Sequence, residues 1–109
     1  MAYEVNEQIY PSMSATAFAV LRDYAHNNPA MSLDTLKIRF AREPGRYHDM
    51  IHAAGDQVVR DHPERFSRET FSVADEDNVV VTNQWTSEVF ADFMDYCATL
   101  GDQYRIVEV

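Results

Sequence analysis

The chain has 109 residues, 46% of them hydrophobic and 25% charged. That is the length and balance of one globular domain, and it excludes a second domain, wholesale disorder and collagen-like or low-complexity chains. Eighteen acids against nine bases give a net charge of −9, which opposes sequence-independent binding to nucleic acid or to an anionic membrane.

Residues 1–11 read as a polar N-terminal arm anchored by Tyr3, Val5, Ile9 and Tyr10. Pro11, Ser12 and Ser14 are a helix-start signal, because a serine oxygen accepts from the orphan N–H groups of a first turn. Residues 14–26 then place Phe18, Leu21, Tyr24 and Ala25 on one helical face, and Pro29 ends the helix by biasing Asn28 away from helical backbone. Ser32 caps a second helix over 33–41, with Leu33, Leu36 and Phe40 facing inward and Lys37 and Arg39 facing solvent. Glu43, Pro44, Gly45 and Arg46 form a turn. A third helix is predicted over 47–60, with Met50, Ile51, Ala54, Val58 and Val59 as its apolar set.

Two extended segments follow, 66–73 and 79–82, joined by a tight acidic turn at Asp75, Glu76, Asp77 and Asn78. Together they predict a β-hairpin. Thr86 or Ser87 caps a fourth helix that ends near Leu100, with Gly101 beyond it. Its inner face is Phe90, Phe93, Met94, Cys97 and Leu100, and its outer face carries Glu88, Asp92 and Asp95. A last strand runs over 104–109. The expectation is a single α+β domain over 1–109: three helices, a hairpin, a helix and a strand, in a winged-helix-like order. No apolar run is long enough for a transmembrane helix. A single cysteine, Cys97, and an N-terminus without a basic, apolar leader point to the reducing cytoplasm.

Few residues carry chemistry. His48 and His52 stand four apart on the predicted third helix, a spacing that can chelate a metal. A zinc protease wants Glu after the first histidine, and here that residue is Asp49. The plainer expectation is two solvent-facing histidines and no metal. Cys97 lies on an apolar face, where a buried, unreactive thiol is expected. Three glycines cannot form a phosphate loop, so no cofactor and no catalytic residue is expected.

The charges are unevenly spread. Residues 1–68 hold nine acids and eight bases, whereas residues 69–109 hold nine acids and only Arg105, a net of −8. The acidic set Asp75, Glu76, Asp77, Glu88, Asp92 and Asp95 therefore reads as a protein-binding surface that imitates nucleic-acid phosphates. Its partner would be the basic groove of a nucleic-acid-binding protein. The competing reading is a winged-helix nucleic-acid-binding or adaptor domain that uses the basic cluster Lys37, Arg39, Arg42 and Arg46. Acids at the predicted wing tip repel phosphate and make direct nucleic-acid binding the weaker expectation. Tyr3 and Tyr10 of the arm can dock on the body or on a second copy, which leaves a homodimer open.

Val81, Thr82, Asn83, Gln84 and Trp85, followed by Phe90, Phe93, Leu100, Gly101, Tyr104 and Ile106, resemble a small uncharacterised α+β domain of bacterial restriction-linked and mobile-element proteins. Ser32 to Leu36 look similar to its N-terminal helical half, and Thr86 stands where that group usually has glycine. The resemblance implies a nucleic-acid-processing setting and no catalytic residue. With the acidic surface it points to a phage or mobile-element inhibitor of a defence nuclease, of the anti-CRISPR or anti-restriction type.

Overall fold

The first ten residues, expected as an arm, fold back on themselves. Strand β1 (Tyr3–Val5) and strand β2 (Gln8–Tyr10) form a two-residue hairpin through Asn6 and Glu7, which both adopt positive φ (48° and 69°). Two left-handed residues in sequence make the turn whose twist matches antiparallel strands. The structure, a computed structural model, describes residues 1–40 and 50–109. Strand β6 (Ile106–Glu108) pairs on the other side of β1, so the chain's two ends share one sheet of order β2-β1-β6.

Helix α1 (Met13–Asn27) begins where expected, with Ser12 Oγ accepting from the Ala15 N–H at 3.1 Å. Residues 16–21 are all buried, as are Tyr24 and Ala25. A helix buried through almost two turns needs cover on more than one side, and α1 packs against both sheets of the molecule. Its alanines at 17, 19 and 25 let neighbouring elements approach closely. Thr16 is fully buried, and its hydroxyl donates to the Ser12 carbonyl at 2.6 Å. Helix α2 (Leu33–Phe40) buries Leu36 and Phe40 of the expected inner face, and Leu33 is partly buried against the same core.

The helix predicted over 47–60 is replaced, from residue 51 on, by a strand and a short helix; residues 47–49 lie outside the described residues. Strand β3 (Ile51–Ala53) pairs antiparallel with β5, Ile51 opposite Val81 and Ala53 opposite Val79. Helix α3 is only Gln57–Asp61. The apolar spacing of Met50, Ile51 and Ala54 suits a helix, and pairing with the valine strand overrides it.

Strands β4 (Phe71–Val73) and β5 (Glu76–Val81) form the expected hairpin, with β5 central in a second sheet of order β3-β5-β4. The turn is at residues 74–75, so Glu76 and Asp77 belong to β5 instead of the loop. Alternation along β5 sends Val79 and Val81 into the main core and Val80 to the opposite face. There Val80, Val59 and Phe66 make a small second cluster under α3.

Helix α4 (Ser87–Ala98) is capped by Thr86, whose Oγ1 accepts from the Val89 N–H at 3.2 Å. Phe90, Phe93 and Cys97 are its buried face. Trp85 lies against Phe90 and Phe93 (ring centroids 5.4 and 5.1 Å), and its Nε1 donates to the Thr82 carbonyl at 3.0 Å. Phe90 in turn meets Tyr3 at 4.9 Å, and Phe40 meets Phe93 and Tyr24. The molecule is thus α+β, with helices packed on two small antiparallel sheets.

Glu7 carries a side chain at a left-handed position that glycine tolerates better. Glu7→Gly should stabilise the fold by about 0.5 kcal/mol, read as a higher midpoint in urea; a lower midpoint would mean the Glu7 side chain makes a compensating contact.

Candidate functional surface

The six acidic residues singled out from the sequence fall on two elements. Asp75, Glu76 and Asp77 stand at the β4–β5 hairpin, and Glu88, Asp92 and Asp95 on the outer face of α4. All are exposed except Glu76, which is half-buried.

The hairpin acids have work within the fold. Asp75 Oδ1 accepts from the Leu33 N–H at 2.9 Å, across 42 positions of sequence. Leu33 is the first residue of α2, so the carboxylate faces the positive end of that helix and satisfies an orphan donor. Ser32 Oγ accepts from Thr35 N–H at 3.1 Å, completing the cap. The Ala74 N–H donates to the Met31 carbonyl at 2.9 Å and pins the same turn to the α1–α2 connection. Glu76 Oε2 accepts from the Asn78 N–H at 3.3 Å.

The α4 acids are positioned differently. Phe90, Phe93 and Cys97 lock the inner face of α4 into the core, which holds residues 88, 92 and 95 outward at i, i+4 and i+7 on one helical stripe. Cys97 is fully buried, and burial pushes its thiol up to about 12. A protonated thiol without solvent access is no nucleophile.

Of the basic cluster, Arg39 and Lys37 lie on α2. Arg39 Nη1 donates to the Tyr24 hydroxyl at 2.7 Å, and its guanidinium lies over the Tyr24 ring, 5.9 Å from the centroid. It also approaches Met31 Sδ at 3.7 Å. Arg39 thus ties α2 to α1. Arg42 and Arg46 lie outside the described residues, as do His48 and Asp49.

His52, expected to face solvent on a helix, is instead on β3 and 9% exposed. Its ring sits edge-on to Phe66, 5.4 Å between centroids, beside the second cluster. Nδ1 is 3.1 Å from Asp56 Oδ2, and Nε2 is buried with no hydrogen-bond partner among the described residues. Asp56 stands at the N-cap of α3 but makes no side-chain cap hydrogen bond there. Among the described residues, no group of three His, Cys, Asp or Glu is arranged to hold a metal ion.

Asn83 explains the Asn-Gln-Trp run as architecture. Its Nδ2 donates to the Glu64 carbonyl at 2.9 Å, its Oδ1 accepts from Gln84 Nε2 at 2.7 Å, and its backbone oxygen accepts from Ser14 Oγ at 3.3 Å. One asparagine therefore joins β5, the 3₁₀ turn at Pro63–Arg65 and the start of α1. A groove of about 490 Å³ runs beside it, between α1 and residues 63–69. Its floor includes Phe18 and Phe66, and its charges balance, Arg22 and Arg68 against Glu64 and Glu69. No helix of the described residues is long and apolar enough to cross a membrane.

Comparison with family models, with curated proteins and with solved structures returned no match.

An unpartnered buried ring nitrogen costs stability, and an apolar ring of the same shape avoids that cost. His52→Phe should therefore stabilise the protein by about 1 kcal/mol in urea unfolding. A loss of similar size would show that the Nδ1 contact with Asp56, or a partner of Nε2 in solution, outweighs that cost.

Proposed function

We propose that the chain is a non-enzymatic, acidic protein-binding module that engages a basic surface of a nucleic-acid-processing partner through the outer face of α4. The observation that carries this reading is charge concentrated on one fixed helix. Residues 69–109 hold nine acids against one base, and three of those acids stand exposed on a helix whose other face is locked in the core. Carboxylates held in a row on a rigid helix offer a basic groove negative charge with little entropy left to lose on binding. The hairpin acids are secondary, because they stand at a two-residue turn and not in a row on a helix. In its finer form the module is an inhibitor of a defence nuclease, encoded by a phage or mobile element, that occupies the groove where the nuclease takes its nucleic acid.

Fluorescence anisotropy with a labelled arginine-rich peptide and with a labelled DNA duplex tests this. The peptide should bind, and binding should weaken steeply with salt. Combined reversal of Glu88, Asp92 and Asp95 to Lys should weaken it by about tenfold or more, with Glu76→Lys/Asp77→Lys doing less. Salt-sensitive binding of the duplex, or equal loss from the hairpin variant, would overturn the reading.

A further inference from the structure

We propose that β2 is a docking edge that takes an extended, basic segment of a partner protein as an added strand. This surface is separate from α4 and goes beyond the function proposed above.

The hydrogen-bond pattern of the hairpin sets the edge. In a two-residue hairpin the pair flanking the turn, here Val5 and Gln8, exchanges both backbone hydrogen bonds. The next pair, Glu4 and Ile9, then exchanges none, and Ile9 directs its N–H and C=O away from β1. The same alternation makes Glu4 and Val107 the bonded pair on the other side, two residues from the Val109 N–H that donates to the Ala2 carbonyl at 2.9 Å. Among the described residues β2 is the outer strand of its sheet, so Ile9 presents a donor and an acceptor with no described strand beside them.

The side chains agree with the backbone. Ile9 is 65% exposed and belongs to an outward sheet face with Glu4 and Val107, the latter 48% exposed. Natural sheets protect open edges by keeping the edge strand very short, or with lysine, proline or a bulge within it. β2 is short, at three residues, but Gln8, Ile9 and Tyr10 include no lysine or proline, and Pro11 comes one residue too late.

Charge selects the occupant. The β1–β2 hairpin contains two acids, Glu4 and Glu7, and no Lys or Arg, while Arg22 and Arg68 line the groove at its Tyr10 end. Glu4 lies next to Ile9 across the ladder, and Glu7 is in the turn at the end of β2. An incoming strand with an aliphatic residue opposite Ile9 and lysine or arginine beside it would pair main chain with main chain and charge with charge. A second copy fits less well. Two chains of net charge −9 repel.

The test is a ¹H–¹⁵N NMR titration of the full chain with a synthetic peptide of alternating valine and lysine, followed by amide exchange. The Ile9 amide should shift strongly, and its exchange should slow by about tenfold or more at saturation. Ile9→Lys, which keeps the backbone and sets like charge against the peptide, should abolish the effect. Ile9→Pro, which removes the outward N–H at a position where an edge tolerates proline, should do the same. A valine–glutamate peptide should not bind. Shifts confined to α4 would overturn this proposal while leaving the α4 reading standing. Protection of Ile9 that rises with protein concentration in the absence of peptide would assign the edge to a second copy and overturn it too.

Discussion

The burial of α1 is the constraint on which the other elements depend. Residues 16–21 leave almost no surface to solvent, so the helix must be covered by a sheet on more than one side. The chain meets this need with two small sheets instead of one large one, and both contact α1. Strands of three residues are marginal alone. Here the β2-β1-β6 sheet is held because Tyr3 packs on Phe90 and Val5 and Ile106 reach the common core. The cost of splitting the sheet is open edges, and β2 is one of them.

A second consequence is how polar groups are used. Arg39 and Asp75 were candidates for recognition by residue type, and Asn83 belonged to the Asn-Gln-Trp run. Each joins elements distant in sequence: Arg39 to Tyr24, Asp75 to the first N–H of α2, Asn83 to the turn at residue 64. Small domains have little core, so half-buried hydrogen bonds carry a larger share of specificity. The two surfaces proposed for a partner are the acidic stripe of α4 and the edge at Ile9. They differ in kind, since the first offers charge and the second offers main-chain hydrogen bonds.

Helices α1, α2 and α4 were legible because their signals are local. Ser12 and Thr86 cap where serine and threonine predict a start, and Phe90, Phe93 and Cys97 repeat at helical spacing. The hairpin around Val79 was legible from its β-branched run. The rest depended on contacts at long range. Met50 and Ile51 fit a helix until β5 supplies a partner almost thirty residues later. Tyr3 and Val5 alternate, yet the turn between β1 and β2 uses Asn6 and Glu7 with no glycine to mark it. The link from Asp75 to Leu33 spans 42 positions and has no sequence signature. The α4 face was visible as a charge pattern, whereas the docking edge appears only once β2 is known to be a strand.

The central claim is that a rigid acidic helix competes with nucleic acid for a basic surface. Displacement measures this most directly. A fluorescent duplex is first bound to an arginine-rich peptide, and the protein is then added while the anisotropy of the duplex is followed. The account predicts release of the duplex, lost on raising the salt and lost when the α4 acids are reversed. A duplex that stays bound, or anisotropy that rises as the protein joins the complex, would contradict it.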